Sequence, residues 1–100
     1  MNWLKNLLNG PFETTKATVL REIDRAIGKL ESGATVAVVV EELRERLTQA
    51  LATAKLPAGG AILLNIVLAQ VNWSALLGKL PADALAELKR MRTRVEGARL

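Results

Sequence analysis

Residues 36–54 read V-A-V-V-V-E-E-L-R-E-R-L-T-Q-A-L-A-T-A. Val36, Val40, Leu43, Leu47, Ala50 and Ala54 recur at 4-3-4-3-4 spacing, the a/d seam of coiled-coil-like packing. Val39 and Leu51 widen this seam into a stripe that faces a core. The valines at 36 and 38–40 would suit a strand on their own. The seam continues in register into an unmistakably helical segment, so the reading is a helix over 35–55.

Working back towards the start, Leu20, Ile23, Ile27 and Leu30 follow 3-4-3 spacing, with Val19 and Ala26 beside them. This predicts a helix over 11–31, opened by Pro11 and closed by Ser32-Gly33. Proline is at home in a first helical turn, where its missing N–H has no partner to lose. Before it, Trp3, Leu4, Leu7 and Leu8 share one face of residues 2–9, a short amphipathic helix ending at Gly10. Working forward, residues 56–78 carry no charge at all, and a helix is expected over 59–78. Pro81 opens a last helix over 81–97, with Leu85, Leu88, Met91 and Val95 as its apolar stripe. Ala and Leu supply 33 of the 100 residues and aromatics three, which favours helix over sheet. The expected fold is therefore all-α: one domain over 1–100, a small helical bundle of four main helices plus the short N-terminal one.

Composition restricts the chemistry. There is no cysteine, histidine or tyrosine. Disulfides, thiolate metal sites and thiol nucleophiles are excluded, as are the imidazole base and metal ligand. Hydroxyls have nothing to activate them. Glu41, Glu42 and Glu45 crowd one turn, but Arg44 and Arg46 interleave with them and Glu42→Arg46 is a favourable i,i+4 pair. They read as a solvated charged face rather than a catalytic or metal-binding set. Gly59-Gly60 lacks the rest of any phosphate-binding loop. No enzyme activity, cofactor, metal or small-molecule substrate is expected.

Three functional readings follow. A chain this short buries only about two-thirds of its unfolded surface. Yet it offers apolar faces on residues 2–9, 35–55 and almost all of 59–78. The leading expectation is a non-enzymatic structural or protein-interaction module that self-associates, or pairs with a helical protein, in the manner of phage or bacterial accessory proteins. Trp3, Leu7 and Trp73 would serve the contact, because lone tryptophans often pack at subunit contacts. Asn65 and Asn72, seven residues apart, would fix its register as paired amides do in helical seams.

The second reading is membrane-active. A hydrocarbon span needs about 20 predominantly apolar residues, and residues 60–78 supply 19 between Lys55 and Lys79. In outline this resembles small single-span lysis proteins, although Asn65, Gln70 and Asn72 would each cost energy in lipid. The third is a nucleic-acid-binding accessory role. Residues 79–100 hold six of the 14 basic groups against three acids, a net of +3 out of the chain's +4. Lys89, Arg90, Arg92, Arg94 and Arg99 would meet phosphates, without the stacking aromatics or recognition module such proteins usually add. The start of the chain has one lysine and no adequate apolar core, so no secretory signal is expected and the location is read as cytoplasmic, with membrane association as the alternative.

Overall fold

The computed structural model describes residues 2–53 and 69–98, with side chains over 12–52 and 69–98. Four helices are present among the described residues, and no strand: α1 (Asn2–Glu31), α2 (Val36–Thr53), α3 (Trp73–Leu77) and α4 (Pro81–Glu96). The all-α class is thus confirmed. The valines at 36–40 are helical, in the register that the seam required.

α1 is a single helix through Gly10-Pro11, which corrects the expected boundary between residues 2–9 and 11–31. Proline's fixed φ is itself helical. Its cost inside a helix is one lost hydrogen bond and crowding of the carbonyl four residues back, not a forbidden geometry. At about 1.5 Å per residue, its 30 residues account for the long dimension of a 48 × 19 × 18 Å molecule.

The turn after α1 is a Schellman motif. Ala34 N–H donates to Lys29 C=O at 3.0 Å and Gly33 N–H to Leu30 C=O at 3.1 Å. The motif needs a left-handed residue at Gly33, and its φ is +93°. Glycine alone takes that backbone without steric cost.

Side-chain pairs fix the direction of the other helices. Lys29 meets Glu42 at 2.6 Å, and Arg46 lies 3.7 Å from Glu22, so α2 runs antiparallel to α1. Arg92 meets Asp24 at 2.5 Å and Lys16 Nζ donates to Ala98 C=O at 3.0 Å, so α4 is also antiparallel to α1. α1 therefore packs against both, and α2 and α4 run the same way.

The core lies along these contacts. α1 contributes Phe12, Val19, Ile23, Ala26, Ile27 and Leu30, and α2 contributes Val36, Val39, Val40, Leu43 and Leu47. α4 contributes Ala84, Leu88, Met91 and Val95, continued by Ala98 just beyond its end. The α4 stripe is thus turned relative to the expected one: Ala84 is buried and Leu85 only partly so. An alanine on the facing line lets the backbones approach closely.

α3 corrects a second boundary. Asn72 has extended backbone (φ −84°, ψ +90°) and its side chain accepts a hydrogen bond from Ala75 N–H at 3.1 Å. It is the N-cap of a five-residue helix, so a helix running unbroken over 59–78 is not formed. Asparagine offers its own side-chain acceptor to an orphan N–H, and this competes with continuing a helix. Trp73 and Leu76 are the buried residues of α3. Pro81 then opens α4 as expected, with Asp83 in its first turn.

Candidate functional site

The second connection of the fold, residues 70–80, does not lie flat on α4. Between them is a cleft of about 300 Å³. Val71, Leu76 and Met91 line it as apolar wall, with Ala75 keeping it open by its small size. Leu76 and Met91 belong to the core, so the cleft reaches the interior from the side. Lys79, Arg94 and Glu87 supply its charges, and Gln70 and Asn72 its amides.

These polar groups differ in how far they are already engaged. Glu87 is held by Arg90 at 3.1 Å. Asn72 uses its carbonyl oxygen on Ala75 N–H, leaving its amide N–H groups as donors. Lys79 and Arg94 are exposed, and their side chains have no ion-pair or hydrogen-bond partner among the described residues. The unspent capacity of the cleft is therefore donor-rich and cationic, around an apolar floor. It suits a ligand with acidic and apolar groups side by side.

The expected phosphate-facing set divides on the structure. Arg92 is bound to Asp24 and, at 2.8 Å, to Glu96. The Asp24 hydrogen bond raises its already high proton affinity further. Arg90 is bound to Glu87. Both are spent on ion pairs within the protein. Lys89 is exposed, Arg94 lines the cleft, and Arg99 lies outside the described residues. The basic end is thus not one free stripe.

The expected interaction set divides too. Trp73 is buried, 7% exposed, and packs in the core. Asn72 is exposed and caps α3 from an extended backbone. Trp3, Leu7 and Asn65 have side chains outside the described residues. Among the described residues, no helix is long and apolar enough to cross a membrane.

On α2 the expected Glu42–Arg46 pair forms at 3.3 Å, and Lys29 joins it. The Lys29 hydrogen bond, helped by the charges of Lys29, Arg46 and Arg25, holds the Glu42 carboxyl below its ordinary range against a smaller opposing effect of desolvation. Glu41 and Glu45 differ: both are exposed and neither has a partner among the described residues. With Val38, itself 62% exposed, they form a stripe on the outer face of α2.

Sequence reasoning missed Lys16. Its side chain is buried, and its ammonium caps the carbonyl end of α4 by bonding Ala98. A cation at a helix C-terminus is favourably placed. The available signal was its position: Phe12, Lys16, Val19, Ile23, Ala26 and Leu30 continue the 4-3-4-3-4 spacing of α1. Comparison with known protein families, with curated proteins and with solved structures found no match.

Proposed function

We propose that this protein is a non-enzymatic helical interaction module that associates with copies of itself. The observation that carries the reading is the cleft between residues 70–79 and α4. Its floor is made of core side chains, and its rim holds two cations with no partner among the described residues. An isolated fold leaves half-buried Val71 and these two cations in contact with water, above Leu76 and Met91, which are already buried. An interface gains apolar burial at its centre and charge pairing at its rim.

A second feature supports it. Val38 lies one turn before Glu42, which is level with Lys29 near the end of α1. Leu80 lies 12 residues before Arg92, which is level with Asp24. Both therefore sit towards the end of the bundle that carries the Gly33 turn. They are its two exposed large apolar side chains among the described residues, Leu80 being 71% exposed.

The test is sedimentation velocity of purified protein in detergent-free buffer over a wide concentration range. The reading expects a reversible shift from the 10.8 kDa chain to larger species. A single monomeric species throughout would reject it. Recovery only in detergent would favour the membrane-active reading, and salt-sensitive retention on DNA the nucleic-acid one.

A further inference from the structure

The two unspent surfaces are complementary to each other. On one side is the cleft, where half-buried Val71 lies above buried Leu76 and Met91, with Lys79 and Arg94, whose side chains have no partner among the described residues. On the other is the outer face of α2, where Val38, Glu41 and Glu45 stand exposed. Within one chain they cannot meet, because α2 already turns its opposite side, Val39, Val40, Leu43 and Leu47, into its own core.

We propose that the α2 outer face of one copy docks into the α3–α4 cleft of a second copy. This rests on the self-association reading above and names the surfaces that serve it. Val38 enters the apolar part of the cleft, and Glu41 and Glu45 pair with Lys79 and Arg94 of the neighbour. One observation of size fits: the cleft of about 300 Å³ takes a row of side chains rather than a whole helix, and Glu41 and Glu45, one helical turn or about 6 Å apart, present such a row.

Charge pattern decides the polarity. Glu87, the carboxylate of the cleft, is already neutralised by Arg90, so it does not repel the incoming acids strongly. Arg44, the nearest cation on α2, flanks this line, about 60° round the helix from Glu41 and about 100° from Glu45. Because the two surfaces differ, the contact is heterologous: every copy keeps one free cleft and one free α2 face. Such contacts build rings or open chains rather than closed two-fold dimers.

The test uses two double variants of the full chain, Lys79→Glu/Arg94→Glu and Glu41→Lys/Glu45→Lys, followed by sedimentation velocity. All four side chains are exposed, and circular dichroism checks that each variant keeps its helix content. Where a charge reversal disturbs folding, the Gln substitutions at the same sites replace it. Each variant alone should associate at least about tenfold more weakly than wild type, since it sets like charges against each other. Mixed one to one, the variants should regain association as alternating copies, because both unlike pairings, reversed cleft with reversed face and native cleft with native face, set opposite charges together while each variant's pairing with itself does not. Wild-type-like association of either variant would overturn this docking while leaving self-association intact. So would a mixture that behaves as the sum of its parts. A wild type that stays monomeric would remove both.

Discussion

The α1–α2 half and the α3–α4 half of this molecule are built from similar apolar content and end differently. In the first, the spacing is unbroken, a glycine turn reverses the chain, and ion pairs run beside a closed seam. In the second, Asn72 interrupts the uncharged stretch, a five-residue helix follows, and a cleft remains between it and α4. The first half pairs the charges beside its seam, Lys29 with Glu42 and Arg46 with both Glu42 and Glu22, and leaves Glu41 and Glu45 on its outer face without partners among the described residues. The second leaves Lys79 and Arg94 without partners among the described residues. Where period and turn agree, the seam closes and the charges beside it are paired in folding. Where a polar residue caps the chain in mid-run, surface is left for something else.

The comparison breaks first at the seam. Leu43→Ala or Leu47→Ala removes a fully buried side chain and should cost about 2–5 kcal/mol in chemical denaturation. Leu85→Ala, half-buried on α4, should cost well below that, and Arg44→Ala on the exposed face of α2 should stay within about 0.5 kcal/mol. Equal effects at Leu43 and Leu85 would erase the distinction between a closed and an open half.

The two connections come next. Gly33→Ala forces an L side chain into left-handed backbone and should destabilise by about 1–2 kcal/mol. Asn72→Ala removes a cap and should cost about 0.5–2 kcal/mol. Its effect should be local, loosening α3 and the cleft in hydrogen exchange while α1 and α2 stay protected. A global loss of protection in Asn72→Ala would show that the halves are not separable.

The smallest effect is electrostatic. The folded pKa of Glu42 lies below its ordinary 4.5 because of Lys29. Its contribution to stability is therefore complete above that ordinary value and is lost as the pH falls through the lower folded one. Thermal melts from pH 6 downwards should fall less steeply in Glu42→Gln than in wild type. Parallel curves would show that the Lys29–Glu42 pair contributes nothing measurable.

The same contrast governs what could be read before folding was known. Val36 to Leu47 declares itself because every seam position is large and apolar. The α1 stripe from Val19 to Leu30 does so too, but its extension to Phe12 is hidden by Lys16. That lysine reads as solvent-facing until its ammonium is seen on the Ala98 carbonyl. The phase of α4 is hidden for the opposite reason: Ala84 is too small to mark a face, so Leu85 attracts the stripe. Asn72 was legible in composition and ambiguous in role. A heptad partner and an N-cap require the same residue, and only the extended backbone distinguishes them. Which cations of α4 are paired was beyond reach, because the Arg92–Asp24 pair joins residues 68 positions apart. Which charges remain unspent is a property of the fold.

The most direct test of the account is hydrogen exchange measured on wild-type protein at low and at high concentration. The account predicts that amides in 70–79 and in the outer turns of α2 over 38–45 gain protection together as concentration rises. Amides of α1 over 19–30 should be protected at both concentrations. Protection that does not change with concentration, or that changes on α1 instead, would contradict it.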